Sequence, residues 1–358
     1  MELMYKPEWE ETKERYRTWW AGEAMDRCML CVTAPRDGAP PDEQPAQPKD
    51  PVRRWTDLDY VSRLNEWRMR RTFYGGEAVP IWSPGYPGHA AIPTFLGCRL
   101  TLDFQTGWWD PVLTGEEWDP QALTLNKQGE WWRFALRMLR RAVKESRGKC
   151  IPSIGAFGGC GDTLAALRGT DRLLFDVVER PDLIRATEDH LMSQWFEVYD
   201  AFYEIIHEAA EGSTCWFSLW SPGKFYAAQN DFSYMISPEM FRRIFLPVIA
   251  RQTEFLDHTV YHVDGIEAFR HIPALCELPR LQAIQVLPGA GKPSALHYME
   301  SLKQVQAAGK NLWIGIPARE VEEALGRLSA RGLCIATSAK TEGEARELVR
   351  NACKWSRA

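Results

Sequence analysis

His262 and Asp264 are the two residues of this 358-residue chain best placed to do chemistry together. They close the apolar run that begins at Thr259, and in a strand residues two apart face the same side. A histidine and a carboxylate in one pocket can share a metal ion or act as acid and base. The plainer alternative is a core histidine satisfied by a neighbouring carboxylate. Other polar groups follow other apolar runs. They are Trp82-Ser83-Pro84-Gly85 with His89 beyond, Gly158-Gly159-Cys160-Gly161-Asp162, Trp220 to Lys224 with Gln229 and Asp231, and Gln285 to Gly291. Asp231 reads equally as an Asx-turn cap and as a pocket acid. Asp162 reads first as the N-cap of a helix. Cys160 reads as an inert loop thiol before a thiolate ligand, and Lys292 as a solvated lysine before an anion contact. The glycines around Cys160 would let a ligand approach the backbone.

These residues need elements to position them. Short apolar runs alternate with helical patterns along the chain. Strands are expected at Cys28–Ala34, Ala78–Trp82, Cys150–Ala156, Thr214–Trp220, Thr259–Val263, Leu281–Leu287, Asn311–Ile316 and Leu333–Thr337. Helices are expected over 57–73, 129–146, 181–211, 293–309 and 318–332, with Ser237-Pro238-Glu239 opening another. The segment Arg99–Trp109 reads as an extended excursion, and Pro40 to Pro51 as a surface loop. Eight strands joined mostly by helices predict an α/β fold, a single-domain (β/α)8 TIM barrel over residues 1–358. It would carry an N-terminal helical extension and an insertion after strand two. A doubly wound open sheet is the alternative, but no dinucleotide fingerprint follows the first strand. In a barrel, the polar residues above fall at the C-terminal strand ends, where ligands bind.

Composition narrows the classes. A net charge of −5 with no block of Lys or Arg argues against a nucleic-acid partner. The longest stretch without Asp, Glu, Lys or Arg runs from Ala78 to Cys98 and holds four prolines, so no membrane span is expected. Met1 to Arg15 is too polar for a signal peptide, and a cytoplasmic location is expected. Nine cysteines cannot all pair internally. The close pair Cys28 and Cys31 lies in an apolar run where buried free thiols are common. The sixteen tryptophans are an excess. They fill the space between layers, wall a pocket for a flat ligand, or both.

Several of these stretches resemble the uroporphyrinogen decarboxylase superfamily. They are Asp231-Phe-Ser-Tyr-Met-Ile-Ser-Pro-Glu-Met-Phe241 with Leu246-Pro247, His262-Val-Asp-Gly265, Ile284-Gln-Val-Leu-Pro-Gly-Ala-Gly291 and Gly309-Lys310. Trp19-Trp20, Asp26-Arg27 and Thr33-Ala34-Pro35-Arg36 resemble one branch of it. The resemblance implies a (β/α)8 barrel and one of two chemistries, porphyrinogen decarboxylation or methyl transfer involving a corrinoid-carrying protein. The decarboxylases carry an aspartate after the second strand, whereas no Asp or Glu occurs here between Ala78 and Leu102. They also bind substrate carboxylates with an arginine-rich loop, where this chain has Pro35-Arg36-Asp37-Gly38. Several of the methyltransferases hold zinc with a His-x-Cys pair on strand five and a cysteine after strand eight. Here those positions read His262, Asp264 and Thr337-Ser338-Ala339. A harder divalent-metal site on His262 and Asp264, or no metal, follows, and zinc is not expected through thiolates.

The expectation is therefore a methyltransferase moving a methyl group between a small methoxylated or N-methylated molecule and a corrinoid on a partner protein. His262 and Asp264 would be catalytic. Trp82, His89, Trp220, Asp231 and Gln285 would bind substrate, with Trp82 and Trp220 as aromatic walls. A lyase acting on another acid and a non-catalytic ligand-binding barrel are the alternatives.

Overall fold

Seven strands form one hydrogen-bonded sheet in the computed structural model, which describes residues 2–356. In chain order the strands of the protein are β1 (Met29–Pro35), β2 (Thr72–Gly76), β3 (Ile81–Trp82), β4 (Arg99–Leu102), β5 (Gly107–Asp110), β6 (Ile151–Pro152), β7 (Phe225–Gln229), β8 (His258–Asp264), β9 (Ala283–Leu287), β10 (Asn311–Gly315) and β11 (Leu333–Ser338). The large sheet runs β2-β1-β11-β10-β9-β8-β7, and every neighbouring pair is parallel except β1 with β2. β3 and β6 form a separate parallel pair, and β4 with β5 an antiparallel hairpin. The first long strand thus lies beside the last. Among the described residues no ladder joins β1 to β3 or β6 to β7. No helix is long and apolar enough to cross a membrane.

Prolines account for the shortness of β3 and β6. Pro80, Pro84 and Pro152 lack the N–H that a longer ladder needs, so the expected runs Ala78–Trp82 and Cys150–Ala156 each keep two paired residues. The fourth expected strand is misplaced. Thr214–Trp220 is not a strand; the one that pairs with β8 is Phe225–Gln229. Both runs are largely buried, which is why apolar content alone cannot separate them. Ser213 bridges Ser221 and closes residues 214–220 into a loop, after which Ser221-Pro222-Gly223 turns the chain into β7. The displaced segment lies against the end of β6 through Ile154 N–H to Thr214 O and Trp216 N–H to Gly155 O. The helix expected over 57–73 is also cut short. Asp57 caps it by accepting from the amides of Asp59 and Tyr60, it ends at Arg70, and Thr72–Gly76 pairs with β1.

The seam between β1 and β3 is closed by side chains around Glu77, which is 1% exposed. Arg27 donates to both its oxygens at 2.7 and 2.8 Å, Arg15 Nε at 2.6 Å and the Leu30 amide at 2.7 Å. Tyr16, on the helix Trp9–Trp20, donates to the Glu77 carbonyl at 2.9 Å. Burial alone would raise the Glu77 carboxyl, but the bonds and charge of Arg27 and then Arg15 hold it below its usual range. The same helix covers the N-terminal ends of the strands, where Trp19 Nε1 donates to Gly332 O and Asn311 Nδ2 to Trp19 O.

Glu77→Gln would leave the buried Arg27 guanidinium without a counter-charge. We expect a loss of about 3–5 kcal/mol in urea unfolding at pH 7, the usual cost of breaking a buried pair from one side. Because the folded carboxyl sits below its unfolded value of 4.5, this stabilisation is present above that pH and disappears as pH falls through the folded value. A loss well under 1 kcal/mol at pH 7 would show that the seam does not depend on the pair.

Candidate active site

A cavity of about 610 Å³ opens at the C-terminal ends of β6 and β7. Its polar wall is Asp162, Thr163, Tyr226, Gln229 and Asp231, and its apolar wall includes Tyr86, Trp108, Trp109 and Phe232. The β4–β5 hairpin carries the two tryptophans over it. Trp109 is anchored by an Nε1 bond to Thr94 Oγ1 at 2.8 Å and lies on Gly88, whose φ of +92° and missing side chain leave room for the ring. Trp108 remains half exposed at the mouth.

The loop Gly158–Gly161 joins the end of β6 to the helix Asp162–Arg168. Its glycines serve packing. A Cβ at Gly159 would strike Gln229, and one at Gly161, at φ +76°, would strike Asn230. That close approach carries Asp162 across to β7. Asp162, expected as the N-cap, lies inside the helix and does not cap it. Its oxygens accept from Gln229 Nε2 and from the Phe232 amide, each at 3.0 Å. Tyr226 completes the junction by accepting from the Phe157 amide at 3.0 Å and donating to Gly158 O.

Gln229, His262 and Gln285 stand in register on β7, β8 and β9, so their side chains share one face of the sheet. His262 Nδ1 is hydrogen-bonded to Gln285 Oε1, and Trp216 meets the imidazole edge-on at 5.1 Å. His262 Nε2 lies 3.9 Å from Asp264 Oδ2, and Asp264 Oδ1 has no hydrogen-bond partner. The structure thus brings His262, Asp264, Gln285 and Asp231 to one region. Asp231 lies on the cavity wall, while His262 and Asp264 stand beside it. Asp231 is an exposed residue on the cavity wall. Crowding by nearby protein atoms, then the charges of Asp162 and Asp264, raise its carboxyl to about 7. Burial also raises Asp162, against hydrogen bonds from Gln229 and Phe232. Beneath the glycine loop, Glu188 accepts from the Gly161 amide at 3.0 Å and is raised to about 7, chiefly by burial.

Three of the expected substrate contacts lie elsewhere. Trp220 is fully buried at the opposite end of the strands, edge-on to Trp9 at 5.3 Å, with its indole N–H on Ala210 O. It followed the misplaced strand. His89 neighbours the cavity residue Gly88 but turns inward against Phe134 and Trp55. Neither ring nitrogen has a partner, and burial lowers its pKa to about 3. Trp82 is 1% exposed and belongs to the core. In their place the cavity uses Trp108, Trp109, Tyr226 and Thr163. Reading Phe225–Gln229 as the strand would have brought Tyr226 to the right place, and Glu188, mid-helix, left no signal.

Among the described residues no group of three or more His, Cys, Asp or Glu side chains converges as a metal ion requires. His262 and Asp264 supply two donor side chains. Cys160 is buried with its thiol directed to Phe245 O, and burial holds it well above its ordinary pKa. Cys334 is likewise buried and raised.

The backbone is similar to that of a methyltransferase from Methanosarcina mazei, with a TM-score of 0.64 over 96% of this chain and 98% of that one. Sequence identity is 11%, so the likeness is one of fold. No protein-family model and no curated protein matches the sequence.

Glu188→Gln keeps the acceptor for Gly161 and removes the charge. A folded pKa near 7 against an unfolded value of 4.5 means that the unfolded chain gives up its proton first as pH rises. Glu188 therefore costs stability increasingly between those values, on the order of 3 kcal/mol above pH 7. The variant should unfold at higher urea than the parent at pH 8 and at nearly the same urea at pH 4. Equal midpoints at pH 8 would refute the shifted carboxyl.

Proposed function

We propose that this chain is a methyltransferase with a (β/α)8-barrel arrangement resembling the uroporphyrinogen decarboxylase superfamily. It would move a methyl group between a small methoxylated or N-methylated molecule in the cavity and a corrinoid carried by a separate protein. The observation that carries this reading is the cavity itself, an aromatic-walled slot whose polar wall holds two carboxyls raised above their usual range. The likeness of fold to a protein named a methyltransferase supports it. So does the absence of Lys and Arg among the described residues lining the cavity, which leaves nothing to hold the carboxylates of a porphyrinogen.

Demethylation breaks the bond between the methyl carbon and its heteroatom, and the electron pair stays on the heteroatom. An ether oxygen leaves badly as alkoxide, and the proton on Asp231 would go to that oxygen as the bond breaks. A quaternary nitrogen leaves as a neutral amine and needs no proton, and the carboxylates then hold the bound charge. In either case Trp108 and Trp109 orient the substrate and exclude water, and Gln229 fixes Asp162 behind Asp231. His262 and Asp264 belong to the same charge cluster. The corrinoid, when its protein docks, supplies the methyl acceptor.

Asp231→Asn keeps the shape of the side chain while removing its charge and proton. It is expected to melt no lower than the parent and to lower kcat/KM for methyl loss by about 10²-fold or more, measured with a corrinoid protein as acceptor. Asp264→Asn or His262→Gln added to it should cost little further, because groups acting as a unit are not additive. An unchanged kcat/KM in folded Asp231→Asn would remove the cluster from the chemistry.

A further inference from the structure

We propose that the cavity selects an organic cation, a methylated ammonium group, over a neutral methyl ether. The choice of a methyl-bearing ligand rests on the methyl-transfer reading above, whereas the choice of charge rests on the cavity alone. Among the described lining residues there are two carboxylates and no lysine, arginine or histidine. A third carboxylate, Asp264, lies close enough to act on Asp231, and its Oδ1 accepts no hydrogen bond. The groups that perturb Asp231 all raise it, so no positive side chain opposes that acid. His262 acts on Asp162 and lies 3.9 Å from Asp264. The contrast with Glu77, enclosed by Arg15 and Arg27, shows how this protein treats a carboxylate meant only for structure.

Three kinds of ligand can be weighed against that wall. An anion would meet like charge with no counter-ion. A neutral ether could accept one hydrogen bond from protonated Asp231, but it would displace water from ionised carboxylate and leave that charge uncompensated. A metal ion lacks a converging set of three donors among the described residues. A methylated ammonium satisfies both halves of the cavity. Its charge is spread over methyl groups too bulky and apolar for tight hydration, so it pairs with the carboxylates while its methyls face the indoles of Trp108 and Trp109.

The test uses the full chain without any corrinoid protein. Choline and its neutral carbon isostere, 3,3-dimethylbutan-1-ol, are titrated separately by calorimetry in low-salt buffer at pH 8. Choline is expected to bind about tenfold or more tightly than the alcohol, and added sodium chloride should weaken choline alone. Asp231→Asn should lose most of the choline affinity and leave the alcohol unchanged. Trp108→Leu, at a half-exposed site that folding does not require, should weaken choline as a second check. Equal binding of the two ligands, tighter binding of the alcohol, or no binding of choline would each overturn the inference. Because no turnover is measured, its failure is separable from that of methyl transfer. Choline binding without methyl loss from any compound would uphold the charge and end the methyltransferase reading. Methyl loss from neutral ethers without choline binding would do the reverse.

Discussion

The site exists because the backbone ladder stops between β6 and β7. Where strands pair, amides and carbonyls satisfy one another, and the sheet needs nothing from side chains. Where they do not pair, side chains must span the gap. Asp162 does so by taking the Gln229 amide and the Phe232 N–H, and Tyr226 by bonding Phe157 and Gly158, while Thr214 and Trp216 add two backbone bonds to the residues after β6. The cavity is the part of the gap that these contacts leave open. Its polar wall and its structural joint are the same residues.

The second seam, between β1 and β3, is closed by a buried carboxylate too, and the comparison is instructive. Glu77 is met by Arg27 and Arg15 and lies below its usual pKa. Asp162 is met by amides, and Asp231 and Glu188 are raised toward neutrality. Desolvation by the surrounding protein pushes all four upward, and at Asp231 the charges of Asp162 and Asp264 add to it. The presence or absence of an arginine decides the outcome. One seam has become inert and the other remains electrostatically unsatisfied, which is the condition for binding something from outside.

This difference was only partly visible in the sequence. The order of strands from β8 to β11, an extended excursion over Arg99–Trp109, and the shared face of His262 and Asp264 follow from spacing of two and from apolar runs broken by glycine. The strand Phe225–Gln229 was hidden by a rival apolar run ten residues earlier. That error displaced Trp220 into the site and left Tyr226 out. His89 looked like a ligand because it follows a proline-rich loop, but Gly88 turns the backbone and sends the ring into the core. Glu77, Asp162 and Glu188 share a cause. Each is an ordinary acid whose importance lies in partners 27 to 70 positions distant, and local pattern carries no such information.

Stability and binding pull in opposite directions at these acids. A carboxyl raised toward 7 is destabilising at neutral pH, and a single arginine nearby would relieve it, as at Glu77. Such an arginine would also supply from within the charge that the cavity otherwise takes from a ligand. The chain instead keeps Thr163, Tyr226 and Gln229, groups able to accept or donate but not to neutralise. Closed by an arginine, the β6–β7 seam would be more stable and would have no use for a cation. Left as it is, its cost is offset only when a ligand of opposite charge arrives, so binding and folding are linked at this rim.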